Sequence, residues 1–195
     1  MYIYLFTTLL LAHLIADFPL QTDLIFRLKN KNWMGVALHA SVHVVVTGLL
    51  LPNSFSAWPL LAALGFLHFL CDWTKLRCQS NSQASIFLLD QTAHVIVLLL
   101  LAGLFVGIQP ILPFWLICIV VGWAFIPAVA MFHWVAQMEM GTKKMDRPTY
   151  IRWMRHEGEW GAHWIGVVAA SCVTVAFHIA AVSIALRRPR TSIGA

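Results

Sequence analysis

Four pairs of polar residues stand in otherwise apolar stretches of this chain: His13 with Asp17, His39 with His43, His68 with Asp72, and Asp90 with His94. The partners of each pair are four residues apart, which on an α-helix puts them one turn from each other on the same face. Imidazole nitrogen and carboxylate oxygen together suit zinc, iron or manganese. Helix bundles that aim such pairs inward are a known way of building one-metal and two-metal sites. Five imidazoles and three carboxylates are more donors than one ion needs and about what two ions would take. A metal held there would activate water or O2. The structural alternative is that each pair is a hydrogen-bonded join between helices.

The elements that carry these residues are read from composition. A chain of 195 residues that is 60% hydrophobic and 11% charged, with a mean hydropathy of +0.77, lies far outside the range of ordinary soluble domains. It reads as an all-α, polytopic transmembrane helix bundle forming a single domain, with about six spans and one interfacial helix. Ionisable groups inside such spans are costly, face the bundle interior, and mark a functional site by default. Cys71, Cys78, Cys118 and Cys172 show no C-x-x-C spacing and read as packing residues, not as a disulfide or zinc framework.

The expected spans are residues 2–20, 34–51, 58–76, 86–108, 112–135 and 161–186. The first lacks the basic start and small-residue cleavage site of a signal peptide. It carries His13 and Asp17, and Gln21 is expected to continue their face by one further turn. The loop at residues 27–32, with Arg27, Lys29 and Lys31, is expected in water, beside Trp33 as an interfacial anchor. Pro127 lies inside the fifth span, where it should kink the helix. Between residues 137 and 160 the chain is polar. Asp146 and Pro148 look like a helix start, and Arg152 and Arg155 alternate with apolar residues as in a helix lying in the interface. These two arginines could clamp an anionic headgroup or phosphate.

With the amino terminus outside, the first, third and fifth loops are cytoplasmic and hold ten Lys and Arg, whereas the second and fourth hold none. The basic tail at residues 187–190 opposes this topology. In this arrangement all four pairs fall in the cytoplasmic half of the membrane. The net charge of +5 suits anionic lipid surfaces. Nothing points to nucleic acid, and there is no P-loop, G-x-S-x-G or H-E-x-x-H.

The stretches AHLIADFPLQTD (residues 12–23), LHASVH (38–43), LHFLCDWTK (67–75) and LLDQTAHVIVLLLL (88–101) resemble a small integral membrane family of bacteria catalogued as domain of unknown function 3307. The resemblance covers roughly the first half of the chain and includes every polar pair. It implies a protein of the bacterial inner membrane and no particular activity.

The reading that follows is a metal-dependent membrane hydrolase acting on a lipid or lipid-linked substrate from the cytoplasmic side. His13, Asp17, His39, His43, His68, Asp72, Asp90 and His94 would hold one or two ions. Whichever of Asp17, Asp72 and Asp90 is free of metal would act as general base. Gln21 and Gln91 would orient the ligands. The alternative is a haem-binding or cofactor-binding subunit of a larger respiratory or photosynthetic complex, with the pairs as structural hydrogen bonds. Transport through the bundle would need a polar path to the outer face, which these sequences lack.

Overall fold

The structure is a computed structural model, and it describes residues 1–52, 56–78 and 82–140. The expected interfacial helix, the sixth span, Arg152 and Arg155 lie outside the described residues. The described residues form six helices: α1 (Tyr2–Asp17), α2 (Asp23–Lys29), α3 (Trp33–Leu49), α4 (Trp58–Arg77), α5 (Gln83–Leu104) and α6 (Phe114–Glu139). Among the described residues there is no strand.

Helix α1 is apolar on every side, and a helix of that kind belongs in the interior. Leu5, Leu9, Leu11 and Ala12 are fully or almost fully buried. It packs on α3, α5 and α6, while α4 closes the arc by packing between α3 and α5. Tyr4 donates its hydroxyl hydrogen to the carbonyl of Leu112, and the Ile111 amide donates to Leu50 O at 3.1 Å. These two bonds tie the amino end of α1 and the carboxyl end of α3 to the segment before α6. At the opposite end, the Ala84 amide in the first turn of α5 donates to Glu139 at 2.9 Å, a carboxylate placed where the helix dipole favours it.

The inward faces change character along their length. On α4, Leu60, Leu64, His68 and Asp72 are the buried residues, spaced one turn apart. On α5 the same stripe reads Asp90, His94, Leu98 and Leu101. Because α4 and α5 run in opposite directions, leucines meet leucines at one end and the polar pairs meet at the other. The C-terminal turns of α1 and the middle turns of α3 add His13, Asp17, His39 and His43 to the polar end.

Two helices are long and apolar enough to cross a membrane by length and composition, over Gln83–Leu104 and Phe114–Gln137. Apolar α1 and α3 have 16 and 17 residues, against the twenty or so that a span requires. Helix α1 stops at Asp17, two residues before Pro19, because proline has no N–H to donate to the Ile15 carbonyl, which accepts from the Leu20 amide at 3.0 Å instead. Gln21 therefore lies beyond the helix instead of continuing its face.

The segment expected as a watery loop is partly helix. Thr22 caps α2 by accepting from the Ile25 amide at 3.4 Å, and Asn32 caps α3 by accepting from the Gly35 amide at 2.9 Å. The two helices meet backbone to backbone at Gly35, where a Cβ would lie 1.9 Å from Leu28 O. That approach presses α2 onto the bundle and buries Lys29. Gly35→Ala should lower stability by about 1–3 kcal/mol or more, measured by thermal unfolding of the purified protein. Gly107→Ala, with nothing within 4 Å of the added carbon, should leave the midpoint unchanged.

Candidate metal centre

A buried carboxylate organises the polar end. Asp17 Oδ1 lies 2.9 Å from His39 Nε2, 3.0 Å from His43 Nε2 and 3.9 Å from His68 Nε2. His39 Nε2 and His43 Nε2 are 3.3 Å apart. Asp17 comes from α1, the two histidines from successive turns of α3, and His68 from α4. One ligand atom from each of these four residues falls within 4.8 Å of all the others. Bonds of 2.0–2.2 Å in a tetrahedral site put neighbouring ligand atoms about 3.3 Å apart. The distances here bracket that value, so the four atoms surround a point that a single ion could occupy after small adjustments.

His68, Asp72 and His94 form a second group with the same closeness. Asp72 Oδ2 lies 3.3 Å from His68 Nε2 and 3.7 Å from His39 Nε2. His94 has its tautomer fixed by its own helix: Nδ1 donates to the Asp90 carbonyl at 2.8 Å, and a carbonyl can only accept. In the neutral ring this leaves a lone pair on Nε2, which is buried and makes no hydrogen bond. A histidine oriented by a backbone carbonyl, with its other nitrogen facing inward, is the usual arrangement of a metal ligand. His68 Nε2 is likewise buried without a hydrogen bond. Buried polar atoms left unpaired are rare and costly. An ion on the second group would satisfy both, and one on the Asp17 group would satisfy His68 alone.

The two groups share His68. A neutral imidazole nitrogen has one lone pair, so His68 serves one ion at a time. The Asp17 group has the larger set of donors.

The remaining residues position these. Gln91, on α5, donates to Asp17 Oδ2 at 3.2 Å and contacts His13 Nε2 through its Oε1 at 3.3 Å. His13 Nε2 is also 3.4 Å from Asp17 Oδ2 and stacks against the His94 ring with centroids 5.0 Å apart. The His43 and His68 rings lie closest, at 3.6 Å. All eight paired residues predicted from spacing are thus brought together, and each is at most 8% exposed. Gln91 joins them. Gln21 makes no hydrogen bond to them among the described residues, since it sits past the end of α1. His133 is turned elsewhere and contacts Gln137 at 2.7 Å.

Two participants were not anticipated. Lys29 Nζ lies 2.7 Å from Asp72 Oδ1, and Lys75 Nζ lies 2.6 Å from Asp90 Oδ2. The sequence placed both among charges that only set topology. Their local signals are faint: Lys29 ends a short stretch whose apolar residues, Leu24, Ile25, Phe26 and Leu28, suit packing on a neighbour, and Lys75 sits one turn after Asp72.

The profile of one protein family matches residues 5–122, a span that includes all eight paired residues together with Lys29, Lys75 and Gln91. The chain belongs to the DUF3307 family, described as proteins of unknown function. No curated protein and no solved structure matches it. For this DUF3307 protein the geometry is therefore the basis for assigning a role.

Removing one member of a buried ion pair leaves the other charge uncompensated, at a cost of about 3–5 kcal/mol. Lys29→Met should reach that range in metal-free protein, because the Lys29 side chain is 10% exposed and Asp72 1%. Lys75→Met should cost less than half as much, since the Lys75 side chain is 30% exposed and water reaches its neighbourhood. Thermal unfolding of the two variants against the parent protein checks the order.

Proposed function

We propose that this protein is a membrane-embedded helix bundle that holds a divalent metal ion near one face of the bilayer and uses it to hydrolyse a lipid or lipid-linked substrate. The observation that carries the metal reading is the convergence of Asp17, His39, His43 and His68, donors from three helices, on one buried point. Zinc, iron and manganese all take three imidazoles with a carboxylate. The ion would supply Lewis acidity and the means to activate water at neutral pH.

The protein's own residues do the rest. Gln91 and His13 hold Asp17 Oδ2, so that Oδ1 stays turned toward His39 and His43. Asp90 lies outside the Asp17 group and its Oδ1 is buried without a hydrogen bond, free to take up a proton as general base, whereas the oxygens of Asp72, also without hydrogen bonds, are held against Lys29, His39 and His68. Lys75, on Asp90 Oδ2, holds that group in position. Tight packing around the cluster excludes bulk water, which strengthens each electrostatic contact.

Support for a bilayer setting comes from the outward faces. Leu89, Leu100 and Leu104 of α5 are 61–77% exposed, as are Trp58 and Trp123 at 64–67%. Large apolar surfaces of this kind need a cover. A six-span topology with its amino terminus outside puts the polar end on the cytoplasmic side of a bacterial inner membrane, where lipid headgroups are at hand. Haem finds less support as the cofactor. The five imidazole rings lie against one another, mostly tilted or edge to face, with centroids from 3.6 to 5.7 Å apart, closer than two rings stand on opposite faces of a macrocycle.

Elemental analysis of protein purified without a metal-binding tag should find about one equivalent of zinc, iron or manganese. The ion should be lost in the Asp17→Asn, His43→Ala double variant while the helix content measured by circular dichroism is kept. Mass spectrometry of a bacterial lipid extract incubated with wild-type protein should reveal cleavage products that disappear on adding a chelator and return with the metal. Metal-free wild-type protein, or cleavage indifferent to chelation, would remove the proposal's basis.

A further inference from the structure

The charges of the cluster do not balance, and the imbalance specifies a ligand. Among the described residues the polar end buries three carboxylates, Asp17, Asp72 and Asp90. Two of them are cancelled by the protein itself, Asp72 by Lys29 at 2.7 Å and Asp90 by Lys75 at 2.6 Å. Asp17 has no lysine; its neighbours are the ring nitrogens of His13, His39, His43 and His68 and the amide of Gln91. With the imidazoles neutral, as ligation requires, the cluster carries one net negative charge. A divalent ion on the Asp17 group turns this into one net positive charge.

An uncompensated charge shielded from water is costly, and a counter-charge of equal size removes the cost. We propose that the metal-loaded centre takes one singly charged anion, and that Lys29 and Lys75, by cancelling Asp72 and Asp90, together create this demand. The inference rests on the metal reading above and adds the charge of the ligand to it. The same count speaks against a second divalent ion on His68, Asp72 and His94, because the total would rise to three positive charges. A phosphodiester carries one negative charge at neutral pH, and so does a small free anion such as azide. Either satisfies the count, whereas a phosphate monoester dianion overshoots it.

The Lys29–Asp72 pair allows a test that separates charge from structure. Lys29→Met and Asp72→Asn break the same ion pair but move the net charge of the loaded centre in opposite directions, to zero and to two positive. The protein is loaded with cobalt(II), whose visible absorption reports its ligands, and titrated with azide. Wild-type protein should respond saturably. Lys29→Met should bind azide about tenfold more weakly and Asp72→Asn about tenfold more tightly, as expected for one unit of charge at this range. The double variant Lys29→Met, Asp72→Asn should return to within about threefold of wild type.

If both single variants shift the same way, or neither shifts, the pair acts only structurally and the inference is overturned. Should Lys29→Met fail to fold, the other two still decide it, since Asp72→Asn must bind azide more tightly than the double variant. Titration with diethyl phosphate, and with phosphatidylglycerol in mixed micelles, identifies the source of the anion. A response to both assigns the lipid headgroup, and a response to azide alone assigns a small free anion. Wild-type protein that binds no cobalt contradicts the metal centre itself. Cobalt bound without any azide response contradicts the anion inference alone.

Discussion

A carboxylate taken out of water must recover its partners from the protein, and Asp17 does so from three directions at once. Two histidines on α3, one on α4 and a glutamine on α5 converge on a residue at the last turn of α1. Each of those helices must stand at a particular height and rotation for that to happen. The apolar halves supply the means. Leu60 and Leu64 on α4 and Leu98 and Leu101 on α5 occupy the same stripes as the polar residues and pack around α1 in one core. Packing of leucines at one end thus fixes the register of donors at the other.

That division also separates stability from chemistry. Close packing of apolar side chains holds the helices together at one end, and the cluster at the other keeps atoms such as His94 Nε2 and Asp90 Oδ1 unpaired. Unpaired buried atoms are a standing cost, and the one on His68 Nε2 is removed by an ion on the Asp17 group. The short α2 belongs to the same economy of charge. It is held against α3 by the bare backbone at Gly35, and its last residue brings an ammonium group to a carboxylate that the five imidazoles do not neutralise.

Much of the site was legible because helical spacing is a strong constraint. Residues four apart on an apolar helix share a face, and an ionisable face in such a helix has to turn inward. This singles out all eight paired residues, and Gln91 stands out only as a polar residue next to Asp90. What spacing could not reveal was partnership between elements. Lys29 and Lys75 looked like solvated charges, since a lysine's long chain reaches a partner that no periodicity announces. Gln21 lies off the shared face because the helix does not run through Pro19, which has no N–H to donate to the preceding turn. The helical fold was plain from composition. The extra helix α2 was not, as seven residues give too short a pattern to separate from a loop.

The central claim is that one ion is held by Asp17, His39, His43 and His68, and X-ray absorption at the metal edge of the loaded protein addresses it most directly. The account predicts a shell of three imidazole nitrogens and one carboxylate oxygen at about 2.0–2.2 Å, with any further ligand a single anion or water. The outer-ring scattering of imidazole should weaken by about one third when His43 is replaced by alanine. A shell of sulfur or of oxygen alone, or one unchanged by that replacement, would place the metal elsewhere and leave the buried histidines as structure only.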